Sequence, residues 1–244
     1  MEKYKRILIK LSGEALSDEK NHLILSRKKL ENIANVVNYI VTKEKIQVSI
    51  VVGAGNIWRG KLAKDMNIDQ ATGDYMGMIA TIINATALSN AIEKTGLVCR
   101  VMSSLEVKSV AEPYLRLRAI AHLNANKVVI FAAGTGNPYF TTDTAAALRA
   151  TETNSDAIFM AKNGVDGVYT ADPRIDKNAK LIKRISFQEI VNKKLGAMDL
   201  TALTTLMANN DKIRIHVFNM SDEKNFYKVL HGTSIGTTIS KDGK

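Results

Sequence analysis

The ten residues "VVGAGNIWRG" (51–60) decide how this chain is read. They finish an apolar, β-like run, "QVSIVV" (47–52), turn through two glycines and an alanine, and then present a fixed positive charge at Arg59. A second β-like run, "YKRILIKL" (4–11), lies upstream, and between the two Leu30, Ile33, Ala34, Val37, Ile40 and Val41 recur at helical spacing behind Ser26, a suitable N-cap. Strand, helix and strand of these lengths make one βαβ unit with parallel strands.

The alternation continues downstream. Met76, Ile79, Ile82, Ile83 and Leu88 predict a long helix, "LVCRVM" (97–102) a strand, and the segment from about Pro113 to Asn124 a helix. "KVVIFAA" (127–133) predicts a strand, "TTDTAAALRATE" (141–152) a threonine-capped helix and "DAIFMA" (156–161) another strand. Residues 162–183 turn polar and glycine-containing, the composition of a functional loop. Helices over 186–193, 199–209 and 222–230, a strand over 213–218 and a short strand near Thr237 complete the reading. The expected class is α/β with a mostly parallel sheet, in a single compact unit.

Composition narrows the functions. The chain has 244 residues, 45% apolar and 24% charged, and no apolar run approaches the length expected of a membrane span. The first apolar stretch is short and interrupted by Lys10, unlike a secretory signal, so a cytoplasmic protein without a membrane partner is expected. A lone Cys99 excludes an internal disulfide, and His22, His122, His216 and His231 are too scattered to suggest zinc, which leaves oxygen ligation of Mg²⁺ open. The formal charge of +10 is spread over many helices without interleaved aromatics, so nucleic acid is not expected as the primary partner.

Ligands of open α/β sheets sit where strands give way to helices. Four such loops stand out: "KLSGE" (10–14), "GAGNIWRG" (53–60), "GTGNPYFTTD" (134–143) and "KNGVDGVYTADP" (162–173). The first three join small residues to a helix start, which offers unpaired N–H groups to an anion such as phosphate. No Walker A pattern is present, and the glycine loop lacks the third glycine of a dinucleotide fingerprint, where Trp58 stands instead. Lys10 is either a solvated strand-end lysine or a cation against phosphate oxygens; Arg59 is either a surface arginine at a helix start or a planar clamp for a phosphoryl group. Asp74, Asp143 and Asp199 each precede or open a helix, where a carboxylate serves as a cap or as a ligand to hydroxyls or metal.

Taken together, "YKRILIKLSGEAL", "GDYMGMIAT", "GTGNPYFTTDTAAALRA", "DGVYTADP" and "MDLTA", in that order, resemble the amino acid kinase fold family and, within it, the bacterial uridylate (UMP) kinases. The resemblance runs from about Tyr4 to Ile239. It implies a three-layer α/β/α domain with a central, mostly parallel sheet over residues 1–244, assembled as a homohexamer, that moves the γ-phosphoryl of ATP onto UMP with Mg²⁺. Residues up to about 160 would serve mainly the acceptor and residues 161–244 mainly ATP. By the same resemblance Lys10, Leu11, Ser12, Gly13 and Gly55 line the ATP phosphates, Asn163, Tyr169 and Asp172 surround the adenosine, and Arg59 lies at the transfer centre. Ala54, Asp74, Thr135, Gly136, Asn137, Pro138, Tyr139, Phe140, Thr141 and Thr142 form the UMP side, with Asp143 organising the metal or Lys10. A kinase of this fold acting on an amino-acid carboxylate or carbamate is the nearest alternative.

Two departures from the family pattern stand out. The first glycine loop more usually carries three consecutive glycines, and Ala54 replaces the middle one: a positive φ there would strain it, whereas close approach alone would tolerate the methyl. Further on, a glycine-rich stretch linked in relatives to GTP activation is replaced by "SDEKNHLIL" (17–25), so GTP activation is expected to be weak or absent while feedback inhibition by UTP persists. Assays at subsaturating substrate, with and without GTP, are expected to differ by less than the several-fold stimulation that would refute this expectation.

Overall fold

A computed structural model of the chain describes residues 4–18, 20–173, 175–209 and 212–243. Glu19 of the 17–25 stretch and Arg174 of the 162–183 loop lie outside the described residues, as do residues 1–3, 210, 211 and 244. The strands are β1 (Arg6–Leu11), β2 (Gln47–Val52), β3 (Cys99–Ser103), β4 (Glu112–Pro113), β5 (Val128–Ala132), β6 (Ala157–Lys162), β7 (Arg184–Ser186), β8 (Arg214–Asn219) and β9 (Thr237–Ser240). The helices are α1 (Arg27–Thr42), α2 (Gly60–Asp65), α3 (Gln70–Glu93), α4 (Arg116–Asn124), α5 (Thr142–Glu152), α6 (Phe187–Asn192), α7 (Leu200–Asn209) and α8 (Lys224–Leu230), with one 3-10 turn at Gly13–Leu16.

The strands form one sheet in the order β4-β3-β5-β2-β1-β6-β8-β9-β7, parallel except where β9 runs against β8. β1 sits between β2 and β6, with Lys10 opposite Val51 on one side and Met160 on the other. Successive crossovers leave β1 in opposite directions, so its carboxyl end is the topological switch point, and the loops after β1, β2, β5 and β6 gather along one edge.

Both faces of the sheet are apolar because helices cover both. Ile7, Ile9, Leu11, Ile50 and Phe159 meet α1, α3 and α8 on one side, whereas Leu8, Val51, Phe131, Ile158 and Met160 meet α4 to α7 on the other. The result is the expected three-layer α/β/α architecture.

Several boundaries differ from the sequence reading. The long helix starts earlier, at Gln70, because Asp69 accepts from the Thr72 N–H and caps it; Asp74 is therefore inside the helix and is not its cap. Pro113 belongs to β4, and α4 begins at Arg116. Ser26 occupies the N-cap position of α1 without a side-chain cap bond. Segments as short as α2, β4 and β7 have too few residues to establish a period.

Helix α3 bears on the expected absence of a membrane-length segment. It spans 24 residues and is long and apolar enough to cross a bilayer by length and composition, although 44% of its most apolar window is buried in this molecule. Met78, Ile82, Ala85, Leu88 and Ile92 belong to the core beneath it, while Tyr75, Ile79 and Ile83 face outward.

The 162–183 segment is an arm with its own pairing. Tyr169 bridges to Leu181, and Thr237 Oγ1 accepts from the Val168 N–H at 2.8 Å and donates to the Ile182 carbonyl at 2.5 Å. Gly236 makes this possible at φ +61, where a Cβ would lie 2.1 Å from the Val217 carbonyl oxygen.

Beside the arm, His216 of β8 bonds Tyr4 Oη at 2.6 Å and Thr238 Oγ1 at 3.1 Å. Burial, with the nearby Arg214 charge adding, pushes its imidazole down to about 4. The folded state thus binds fewer protons than the unfolded chain below pH 6.5, and the contribution is present above that pH and lost as pH falls toward 4. Its size is on the order of 3 kcal/mol. Urea unfolding should therefore show stability falling between pH 6.5 and 4, with a shallower slope in His216→Gln.

Candidate active site

The edge formed by the strand ends is assembled from the glycine turns outward. Gly13 begins the 3-10 turn after β1 and packs against the loop after β2: a Cβ on Gly13 would lie 2.6 Å from the Gly55 nitrogen and 2.2 Å from Asn56 Oδ1. One on Gly55 would lie 2.3 Å from Glu14 Oε1. Gly13 is required for close approach of the two turns, whereas a side chain on Gly55 would have to move the Glu14 carboxylate. Ala54 is absent from the residues with positive φ, so its methyl is accommodated without backbone strain.

An amide pair fixes the second loop. Asn84, fully buried in α3, donates to the Gly53 carbonyl at 2.8 Å and exchanges reciprocal bonds with Asn56 at 2.8 and 3.0 Å. A lone asparagine within the apolar run "IINATAL" (82–88) was the available signal for this residue.

The cations stand on both sides of these turns. Lys10 Nζ lies 2.9 Å from Asp143 Oδ1, with side chains only 15% and 21% exposed, which excludes a solvated strand-end lysine. That buried Asp143 oxygen has no hydrogen bond to another partner among the described residues. Arg59 occupies the N-cap position of α2 and is 59% exposed; its Nε donates to the Gly55 carbonyl at 2.9 Å and its Nη2 meets Glu14 Oε1 at 3.0 Å. The arginine at the helix start is therefore folded back onto the glycine loop.

Sequence reasoning passed over Glu14 and Lys162. Lys162 ends the apolar strand "AIFMAK", as Lys10 nearly ends "RILIKL". It is two residues beyond Met160, the register partner of Lys10, and so projects from the same face of the sheet. Its Nζ donates to the Ala197 carbonyl at 3.1 Å, and burial pushes its ammonium down, with Asp143 opposing and Lys10 adding to the effect.

The loop after β5 supplies the opposite wall. Thr141 caps α5, with Asp143 in its first turn, and both Thr141 and Thr144 donate to the Asp199 carboxylate, which also caps α7 through the Ala202 N–H at 2.9 Å. Asp74 Oδ2 accepts from the Tyr139 N–H at 2.7 Å. A cavity of about 260 Å³ is lined by Ala54, Gly55, Asp74, Thr135, Asn137, Phe140, Thr141 and Thr142, together with Trp58 and Thr81. Gly136, Pro138 and Tyr139 are outside its lining.

Asn163 borders a different cavity of about 530 Å³ with Met220 and Ser221, and its Oδ1 accepts from Ser221 Oγ at 3.1 Å. Tyr169 and Asp172 lie on the arm, away from that lining; Tyr169 Oη donates to Asp166 Oδ2 at 3.4 Å. Among the described residues, no group of three or more His, Cys, Asp or Glu could hold a metal ion.

The profile of the amino acid kinase family matches residues 5–219. The chain belongs to the amino acid kinase family. Among solved structures of this family's fold, the UMP kinase from Bacillus anthracis is 43% identical, with a TM-score of 0.93 over 99% of this chain and 98% of that one. The UMP kinase from Ureaplasma parvum is 41% identical, TM-score 0.90, over 99% and 100%. The uridylate kinase from Archaeoglobus fulgidus is 30% identical, TM-score 0.72, over 96% and 99%.

For this amino acid kinase family member, the contact between the first two turns yields a direct test. Gly13→Ala should lower unfolding stability by about 1–3 kcal/mol, because the crowded atoms include backbone. Gly60→Ala, with nothing within 4 Å of the added carbon, should not lower it in the same urea titrations.

Proposed function

We propose that this chain transfers the γ-phosphoryl group of ATP to UMP, giving UDP and ADP in pyrimidine nucleotide biosynthesis. The observation that carries this reading is the cavity joining Ala54, Asp74, Thr135 and Thr142 to Gly55, in a chain 41–43% identical to UMP kinases over 99% of its length. In this reading Lys10, Leu11, Ser12, Gly13 and Gly55 receive the ATP phosphates, and Asn163, Tyr169 and Asp172 the adenosine. Asp74 holds the ribose of UMP, and the loop from Thr135 to Thr142 holds its base and phosphate.

A phosphomonoester with a second pKa near 6 is already largely dianionic at neutral pH, so the acceptor needs no general base. The obstacle is repulsion between two anions brought into line, which cations and fixed amides relieve. Lys10 is held for this by Asp143. Arg59 exchanges Glu14 for the transferred phosphoryl group, whose charge is greater. The single carboxylate of Asp143 suits a Mg²⁺ held mainly by phosphates and water, with Asp143 beside it. Bound beside Asp143, the ion would supply further neutralisation of phosphate charge.

Homohexamer assembly belongs to the same reading and is supported by Tyr75, Ile79 and Ile83, at helical spacing on the outer face of α3 and 41%, 54% and 50% exposed. The sheet order, with β2 to β5 on one side of β1 and β6 to β9 on the other, supports an acceptor part up to about residue 160 and an ATP part from 161. Feedback inhibition by UTP, weak or absent activation by GTP and a cytoplasmic location, which the buried lone Cys99 suits, complete the proposal.

ATP-dependent UDP formation by the purified chain tests it, with CMP, dUMP, glutamate and carbamate as parallel acceptors. UMP should be strongly preferred. Lys10→Ala and Arg59→Ala should each lose roughly 10²–10³ in turnover while remaining folded by circular dichroism, and Asp74→Asn should mainly raise KM for UMP. Near wild-type turnover in both cation variants would remove the transfer centre proposed here.

A further inference from the structure

The loop that follows β5 holds an unusual backbone. Of residues 133–139, Ala133, Gly134, Gly136 and Tyr139 have φ of 59, 56, 84 and 71, and two of these four are not glycine. Such conformations persist only where their surroundings over-determine them. Thr81 of α3 accepts from the Ala133 N–H at 2.7 Å, and Asp74 holds the Tyr139 N–H. Between these two holds, the Gly134 carbonyl receives Ser104 Oγ at 3.0 Å and Arg149 Nη2 at 3.3 Å, while the same Nη2 donates to Ser104 Oγ at 2.8 Å.

Arg149 is an expensive residue for a purely structural bond. It is 3% exposed, and its Nε has no hydrogen-bond partner among the described residues. A buried guanidinium is usually no better for stability than apolar packing of similar volume. Its guanidinium contacts Glu152 at 2.6 Å and the face of Tyr114, 3.7 Å from the ring centre, and Tyr114 Oη in turn donates to Glu152 at 2.5 Å. With Nη1 bound to Glu152, Nη2 is directed at Ser104 and Gly134. A charged donor grips a carbonyl more strongly than a neutral one and fixes its direction.

We propose that Arg149 and Ser104 are positioning residues for the acceptor: they clamp the Gly134 carbonyl and thereby hold Thr135, Asn137 and Phe140 in the geometry that receives UMP. Arg149 lies on the helix whose cap, Thr141, closes the same loop and is fastened to Asp199. The loop is thus braced at its start from within α5 and at its end by α7. The identity of the acceptor rests on the function proposed above; the clamping does not.

Two measurements on Arg149→Lys and Ser104→Ala separate those dependencies. Hydrogen exchange of the ligand-free protein should accelerate at amides 134–140 in both variants, with exchange in β8 and α1 unchanged. Steady-state kinetics should show KM for UMP raised about fivefold in Ser104→Ala and about tenfold or more in Arg149→Lys, with KM for ATP within twofold of wild type. Unchanged exchange at 134–140 in both variants would overturn the clamp, whatever the acceptor is. Equal rises in both KM values, or exchange accelerated throughout the molecule, would reduce the pair to general structural support and also overturn it. A wild-type protein inactive on UMP, yet showing the local exchange response, would leave the clamp standing and remove the acceptor assignment.

Discussion

The ion pair between Lys10 and Asp143 is the constraint around which the strand-end edge is organised. A lysine near the end of a central strand has apolar neighbours on either side, and its charge is tolerable there only with a carboxylate in contact. The carboxylate arrives on the first turn of α5, so β1, the loop after β5 and α5 must meet in one arrangement. Lys162 on the next strand adds a second ammonium to the same face, and its lowered proton affinity reflects how little water reaches this corner. An incoming polyanion meets charges already fixed in place, which is what electrostatic preorganisation requires.

The glycine turns obey a different constraint, that of space. Gly13 is packed so closely against the second turn that a side chain on it would displace backbone at Ala54 and Gly55, one on Gly55 would meet the Glu14 carboxylate, and Ala54 itself has no positive φ. The departure from three consecutive glycines is therefore conservative in backbone terms. Asn84 and Asn56 convert this packing into a rigid unit by satisfying one another and the Gly53 carbonyl, leaving no free amide to compete with a ligand.

Most of the fold was legible because long periodic segments dominate it. The runs at 4–11, 47–52, 127–133 and 156–161 all became central strands, and the four loops following strands were recognisable by their small residues. What escaped notice was short or non-local. Two-residue β4 and three-residue β7 carry no period, and the pairing of Arg59 with Glu14 spans 45 positions. Asp74 looked like a cap because the sequence offers a carboxylate before an apolar run; Asp69 won that role by standing where the chain first turns helical. Lys162 was within reach of the logic applied to Lys10, since both close apolar strands with a cation. The clamp formed by Ser104 and Arg149 was not, because a serine after one strand and an arginine inside a helix become neighbours only when the sheet closes.

Thr237 fastens the arm carrying Tyr169 and Asp172, although it comes 69 residues after Val168 in the chain. A ribosome must therefore add 69 further residues after Val168 before that arm has its anchor, whereas the strands carrying the first glycine turns can pair much earlier. Chains that stop short of Thr237 would retain the central strands and lose the anchor, so synthesis through this threonine acts as a checkpoint on this corner of the molecule.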